Sequence, residues 1–135
     1  MSQVMVYLNV AIICDIDDTL LRNGDQPIQH TIDYFNSLPG PRILVTGRNA
    51  KTRAETVRQL RAAGIRFTTL YMNPTGGNDA QFKYETAMRL KKQYKIEVAI
   101  DNNPNMRAAY RRAGVKTQDP AHLPDTKKIW DVTFG

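Results

Sequence analysis

The chain has 135 residues, of which 41% are hydrophobic and 24% charged, a composition that is typical of one globular domain and excludes a disordered chain. No apolar run approaches the roughly 20 residues that span a bilayer and no secretory signal is visible, so we expect no membrane partner. The single cysteine, Cys14, excludes an internal disulfide and favours a cytoplasmic protein. The net charge of +6 favours polyanionic partners, although an ordinary solvated basic surface also explains it.

The first half of the chain alternates between short apolar runs and segments with helical spacing. Short β-branched runs predict buried strands, whereas apolar residues three and four positions apart predict helices. In chain order we predict a strand near 6–14, a turn at 22–27, a short helix near 30–37, a strand at 43–45, a helix at 51–63 and a strand at 67–72. Pro39-Gly40-Pro41 ends the first helix, and Gly64 caps the second.

The second half continues the alternation. We predict a loop at 73–78, a helix at 80–94, a strand at 96–100, a helix at 104–113 and a short strand at 115–117, with residues 128–134 as an edge strand or a loosely packed tail. Strands that alternate with helices predict a parallel sheet covered on both faces. We therefore predict an α/β fold, a Rossmann-like three-layer α/β/α sandwich with a mostly parallel central sheet. Residues 1–135 are expected to form a single domain without a large inserted cap.

Acidic residues crowd the end of the first predicted strand, in the segment Asp15-Ile16-Asp17-Asp18-Thr19. Ligands of α/β folds bind at the carboxyl ends of strands. Carboxylates packed there repel one another unless a cation holds them, and clustered oxygen atoms suit Mg²⁺. One carboxylate can attack phosphorus while a second acts as general acid and base, so the segment predicts phosphoryl transfer. Asp18 is expected to cap a turn, and Thr19 to order the loop through local backbone bonds.

Further polar residues follow the other predicted strands. Thr46-Gly47-Arg48 follow one strand, Asp101-Asn102-Asn103 follow another, and Lys83 lies early in the helix after a glycine-rich loop. Neighbouring parallel strands end at the same edge of a sheet, so we expect Thr46, Asp101 and Lys83 to converge with Asp15 and Asp17. A hydroxyl and an ammonium can bind phosphoryl oxygens, and a further carboxylate can complete a metal site.

This chain resembles the haloacid dehalogenase superfamily, whose four motifs match in order and spacing the DIDDT segment, Thr46 of VTGR, Lys83 and Asp101 of IDNN. The resemblance covers about residues 6–115. It implies that Asp15 is the nucleophile and that Asp17 is the general acid and base. It also implies that Thr46 and Lys83 bind the phosphoryl group.

The same resemblance implies a magnesium site. Asp15, Asp101 and the backbone carbonyl of Asp17 would hold Mg²⁺. Many members carry a second acid at or just after the position of Asp101, where this chain has Asn102 and Asn103. An amide such as that of Asn102 can hold a metal-bound water but adds no charge, so we expect a weaker metal site than in most members.

The resemblance also implies an open site that takes a large substrate, because this chain has few residues between its motifs for a cap. Within the superfamily it looks most like the 3′-phosphatase domain of phage-type polynucleotide kinases, on TGR (46–48), LYMNP (70–74), Lys83 and the segment 100–114. No G-x-x-x-x-G-K-[ST] motif occurs, so we expect no kinase half. The implied substrate is a phosphorylated end of DNA or RNA.

The residues expected to contact this substrate are polar, basic or adjacent to the phosphoryl site; they are Thr46, Gly47, Arg48, Lys83, Arg107 and Arg111. Two other functions stay open at this point. One is hydrolysis of a small phosphomonoester such as a nucleotide or a sugar phosphate, and the other is a non-catalytic binding module that keeps the fold. For Arg48, an ion pair with Asp101 or another carboxylate is the alternative to contact with substrate.

Overall fold

The computed structural model describes residues 9–123. Its strands are β1 (Val10–Cys14), β2 (Leu21–Arg22), β3 (Gln26–Pro27), β4 (Arg42–Asn49), β5 (Thr69–Asn73), β6 (Lys95–Ile100) and β7 (Thr117–Gln118). Its helices are α1 (Gln29–Ser37), α2 (Arg53–Ala62), α3 (Asp79–Leu90) and α4 (Pro104–Arg112), with 3₁₀ turns at Ala50–Thr52 and Pro120–His122. The predicted elements before residue 9 and at 128–134 lie outside the described residues.

Five strands form one parallel sheet in the order β5-β4-β1-β6-β7, and β2 pairs with β3 in a separate antiparallel hairpin. Strand β1 lies at the centre, between β4 and β6. The residues that follow these three strands therefore share the carboxyl edge of the sheet, where ligands of such folds bind. The predicted α/β class with a mostly parallel sheet is confirmed.

Alternation along β1 sends side chains to two apolar layers. Cys14 packs in the layer that holds Phe35 of α1 and Leu60 of α2. Ile13 packs in the opposite layer, which holds Leu90 of α3. Every one of these side chains is at most 1% exposed. Full burial of such a side chain is worth roughly 1.5–3 kcal/mol, so the two layers fix the sheet between its helices as a three-layer sandwich.

Several predicted element boundaries were wrong because backbone pairing overrides local pattern. The turn at 22–27 is a hairpin, in which Asn23 and Gly24 take φ values of 53° and 90° that turn β2 back onto β3. Strand β4 runs to Asn49, because its pairing with β5 resumes there after an irregularity. The next helix consequently begins at Arg53 instead of residue 51.

The other corrections are small. Strand β5 begins at Thr69 instead of 67, and β7 occupies Thr117–Gln118 instead of 115–117. Helix α3 ends at Leu90 instead of 94, because the amides of Lys92 and Gln93 donate to the carbonyls three residues before them, those of Arg89 and Leu90, in a tighter turn before β6 begins. None of the helices in residues 9–123 combines the length and the apolar character that a bilayer crossing requires.

Candidate active site

A cavity of about 360 Å³ opens at the carboxyl edge of the sheet. Its lining residues come from the ends of β1, β4 and β6, from α3 and from the start of α4. They are Asp15, Asp17, Asp18, Gly47, Arg48, Asp79, Lys83, Asp101, Asn102, Asn103 and Met106. Seven of the residues predicted for a site, from four separate stretches of the sequence, thus meet in one place.

A buried cluster of two carboxylates and one ammonium forms the floor of this cavity. Lys83 Nζ lies 2.9 Å from Asp15 Oδ1 and 2.6 Å from Asp101 Oδ2. The side chains of Asp15, Lys83 and Asp101 are 8%, 4% and 0% exposed. Ion pairs of this depth persist only when their charges compensate one another, so the three side chains act as a unit.

The cluster shifts the ionisation of its members. Burial, together with the nearby Asp101 carboxylate, raises the pKa of Asp15 to about 7 against the opposing attraction of Lys83. Burial alone would lower the pKa of Lys83, but the two carboxylates outweigh it and raise that pKa above its ordinary value. One ammonium faces two carboxylates. Lys83 therefore stays positively charged, whereas the negative charge of Asp15 is only partly neutralised.

Strand geometry holds the two acids in place. The Asp15 amide donates to the Ile100 carbonyl at 2.9 Å, and the Asp101 amide donates to the Gln118 carbonyl at 3.1 Å. Each acid therefore extends the sheet hydrogen bonding by one residue. Lys83 sits in the second turn of α3, a helix whose first turn is capped by the Asn78 side chain accepting from the amide of Gln81. Rigid elements thus preset the geometry of the cluster.

Thr19 connects Asp15 to a distant loop. Its hydroxyl lies 3.2 Å from Asp15 Oδ2, to which it donates, and it accepts from the backbone amide of Asn102 at 3.1 Å. The expectation that this side chain would bond local backbone was wrong, since its hydroxyl bonds the Asp15 side chain and the amide of Asn102, 83 residues away. Asp18, beside it, takes a left-handed φ of 60°, and its amide donates to the Leu21 carbonyl in the turn that was predicted there.

The Asn102 side chain reaches into the same loop. One terminal atom of its amide lies 3.0 Å from Asp15 Oδ2, 3.0 Å from the backbone oxygen of Asp17 and 3.1 Å from Thr19 Oγ1. A carboxylate oxygen and a carbonyl oxygen only accept hydrogen bonds, so this atom is Nδ2, donating to them. Three oxygen atoms of the DIDDT loop therefore surround the side-chain nitrogen of Asn102, a residue that follows β6 in the sequence.

Arg48 binds the second predicted catalytic acid. Its Nη2 lies 2.8 Å from Asp17 Oδ1 and its Nε lies 3.0 Å from Asp17 Oδ2. The same guanidinium donates to Gln59 at 2.6 Å, to Thr56 at 3.1 Å and to the carbonyl of Gly24 at 3.1 Å. The Asp17 side chain remains 50% exposed to the cavity. Arg48 thus makes an ion pair, with Asp17 and not Asp101, and ties the hairpin to α2.

Thr46 and Gly47 occupy different positions at the end of β4. Thr46 is fully buried, does not line the cavity, and accepts from the Arg48 amide through its hydroxyl at 3.1 Å. Gly47 lines the cavity, where a side chain would collide with the Asp79 carboxylate. Asn73 in turn donates to Asp79 Oδ1 at 3.1 Å. Sequence reasoning missed Asp79, although its position four residues before Lys83 places both on one face of a helix.

Besides Thr46, two further predicted contacts of substrate lie outside the cavity lining. Arg107 donates to the backbone carbonyl of Asp101 at 2.9 Å and lies 3.6 Å from Asp119 Oδ2. Arg111 is exposed on α4 and donates to Thr117 Oγ1 at 3.1 Å. Arg107 therefore supports the loop that carries Asp101, whereas Arg111 faces solvent.

The oxygen atoms at this edge suit a hard cation. Among residues 9–123, no three acidic, histidine or cysteine side chains are grouped so as to hold a metal ion. The Asp17 carboxylate turns to Arg48, and Lys83 takes one oxygen of Asp101. Asp15 Oδ2 and the Asp17 carbonyl nevertheless converge beside the Asn102 amide, and such oxygens are what Mg²⁺ prefers. The donor set fits Mg²⁺ with fewer charges than three carboxylates would supply.

The fold has counterparts among solved structures. No protein-family model matches the sequence, and no curated protein matches it. A chain in the structure of the Pnkp1/Rnl/Hen1 RNA repair complex superposes with a TM-score of 0.67 and 25% identity, over 84% of this chain and 42% of that one. A second structure of the Pnkp1/Rnl/Hen1 complex gives 0.66 and 23%, over 82% and 45%. This chain spans less than half of those chains, and the likeness is one of fold.

Proposed function

We propose that this chain is a phosphomonoester hydrolase of the haloacid dehalogenase type, which removes phosphate from 3′ ends of nucleic acid. The observation that carries the proposal is the buried Asp15 carboxylate, held by Lys83 at 2.9 Å on the floor of an open cavity. The half-exposed Asp17 carboxylate lines the same cavity. A fixed nucleophile with a solvent-accessible carboxylate two residues away that can carry a proton is what a two-step hydrolysis requires.

In the first step, an oxygen of Asp15 attacks phosphorus, the bond from phosphorus to the leaving oxygen breaks, and Asp17 gives that oxygen a proton. In the second step, Asp17 takes a proton from water, whose oxygen attacks phosphorus. The bond from phosphorus to Asp15 then breaks, which returns the carboxylate and releases inorganic phosphate. Lys83 and Thr19 hold Asp15 in place throughout.

Mg²⁺ would be held by Asp15 and the backbone carbonyl of Asp17, with Asp101 and Asn102 beside them. When bound, it supplies positive charge that offsets the repulsion between a carboxylate nucleophile and an anionic phosphoryl group. The chain's own contribution is to favour the ionised form of Asp15 through Lys83, against the effect of burial, and to hold Asp17 through Arg48.

Three observations favour nucleic-acid ends over small phosphomonoesters. The interval between Thr19 and Thr46 holds only the β2–β3 hairpin, α1 and the first part of β4, so nothing in it covers the cavity. The chain carries a net charge of +6. Its fold is similar to that of a chain from an RNA repair complex. An open site on a chain of net positive charge suits a large polyanion that shields its own reaction from water.

We expect a 3′-phosphorylated oligonucleotide to exceed the matching 3′-mononucleotide in kcat/KM by about tenfold or more, because remote phosphates contribute binding energy that positions the reacting group. The measurement is initial rates at several salt concentrations. The oligonucleotide reaction should weaken with salt, whereas hydrolysis of 4-nitrophenyl phosphate should change little. An oligonucleotide phosphorylated only at its 5′ end tests whether the protein selects the 3′ phosphate.

A pair of arginine variants sharpens this comparison. Arg111 lies on α4, about 10 Å along the helix axis from its start, where a longer strand can reach it. Arg111→Ala should slow the oligonucleotide and spare the aryl ester, whereas Arg89→Ala, an exposed change in the last turn of α3, should affect neither. Equal kcat/KM for mononucleotide and oligonucleotide, with equal salt dependence, would replace this proposal with a small-molecule phosphatase.

A further inference from the structure

The Asn102 side-chain amide stands where the oxygens of the DIDDT loop converge. Its Nδ2 lies 3.0 Å from Asp15 Oδ2 and 3.0 Å from the Asp17 backbone oxygen. Those two atoms are the ones that the proposed function assigns to Mg²⁺. Asp15 Oδ2 accepts from both Thr19 and the Asn102 amide, which take its two lone pairs, and the same amide nitrogen occupies a position from which a cation could contact both oxygens.

We infer, on the basis of the proposed function, that the Asn102 amide and a divalent cation compete for these oxygens, so that Asn102 sets the metal affinity of the site. An amide nitrogen presents a partial positive charge on its hydrogens, which is the polarity that a cation presents to the same atoms. The amide must therefore leave Asp15 Oδ2 and the Asp17 carbonyl before both can contact a metal ion. Its hydrogen bonds are lost in the exchange, which raises the concentration of Mg²⁺ needed to fill the site.

The network around Asn102 makes the competing position a favoured one. The backbone amide of Asn102 donates to Thr19 Oγ1, and that hydroxyl donates to Asp15 Oδ2. The side-chain Nδ2 adds a contact to the same hydroxyl at 3.1 Å. The residue is therefore anchored at two points on the loop, and its side chain is held over the oxygens and does not swing free.

Competition and ligation make opposite predictions for a shortened side chain. If Asn102 served chiefly as a metal ligand through its amide oxygen, removing the amide would weaken binding of Mg²⁺. If it competes, removing the amide frees Asp15 Oδ2 and the Asp17 carbonyl and strengthens binding. The sign of the change therefore separates the two roles without any measurement of catalysis.

The experiment is a calorimetric titration of the full chain with Mg²⁺, before any substrate is added. We expect Asn102→Ala to bind Mg²⁺ at least about fivefold more tightly than the unaltered chain, the equivalent of one ordinary hydrogen bond. Asn102→Ser, which also withdraws the amide, should shift binding in the same direction and serves if the alanine variant fails to fold. Asn105→Ala, on the exposed face of α4, is the matched control and should bind as the unaltered chain does.

Thermal unfolding supplies a second readout. Without Mg²⁺, Asn102→Ala should melt several degrees below Asn105→Ala, and added Mg²⁺ should raise its melting temperature more than that of the unaltered chain. Weaker or unchanged Mg²⁺ binding in both Asn102 variants would overturn the inference, and hydrolysis that still required Mg²⁺ and Asp15 would leave the proposed function standing. Absence of Mg²⁺ binding in every variant would overturn the inference and the assignment of the metal together.

Discussion

Asp15→Asn is expected to slow phosphomonoester hydrolysis by roughly four orders of magnitude or more, because it removes the oxygen that attacks phosphorus in the first step and so the intermediate on which the second step depends. The fold should survive the change. An amide has nearly the shape of the carboxylate, and Lys83 keeps its 2.6 Å contact with Asp101. Burial raises the pKa of Asp15 to about 7, so the folded protein disfavours its charged form, and a neutral side chain there does not add strain.

Initial rates and a urea denaturation curve on the same preparation check this expectation. Asp33→Asn is the matched control, because Asp33 lies exposed on α1, does not line the cavity, and accepts a hydrogen bond from Gln29 through its side chain. That variant should keep full activity and ordinary stability. Full activity in Asp15→Asn would show that Asp15 is not the nucleophile. Loss of the fold would show that the main role of Asp15 is structural.

Lys83→Met is expected to lower the free energy of unfolding by about 3–5 kcal/mol, because it strands Asp15 and Asp101 as buried, uncompensated carboxylates. Methionine keeps a long, unbranched side chain and helix-forming character in α3. The Lys83 side chain is only 4% exposed, so water cannot solvate the two carboxylates in its place. Activity should fall as well, since Asp15 loses the group that fixes it. Equilibrium unfolding in urea gives the stability directly.

Charge balance provides the test of that explanation. Adding Asp101→Asn to Lys83→Met removes one of the stranded charges and should restore part of the lost stability, a non-additive outcome. Lys92→Met, at an exposed position after α3, should change the free energy of unfolding by no more than about 0.5 kcal/mol. If the double variant were less stable than Lys83→Met alone, packing and not charge would explain the loss.

The sandwich could be predicted because each layer has a local signature. The run that became β1 is apolar and β-branched, and the α4 segment starts at Pro104 and is followed by Gly114. These signals depend on neighbours in the sequence. The extension of β4 to Asn49 depends instead on pairing with Asn73 of β5. That partner lies outside the stretch of sequence around β4, so local patterns do not reveal the pairing.

The meeting of Asp15, Lys83 and Asp101 could be predicted from strand order, because parallel strands end at one edge. The orientation of side chains at that edge could not. Asp17 faces Arg48 because a guanidinium fixed by α2 and the hairpin stands beside it. The contact of Thr19 with Asn102 depends on the spacing of two loops set by the whole sheet.

The most direct test of the central claim is to trap the phosphoryl group on Asp15. In the Asp17→Asn variant the second step should stall, and an aryl ester such as 4-nitrophenyl phosphate needs little protonation of its leaving group. Rapid quench with the ³²P-labelled ester should therefore yield protein-bound label that hydroxylamine releases, and Asp15→Asn/Asp17→Asn should yield none. Release of phosphate without labelled protein at any quench time, or equal labelling of the double variant, would contradict the claim that Asp15 is the nucleophile.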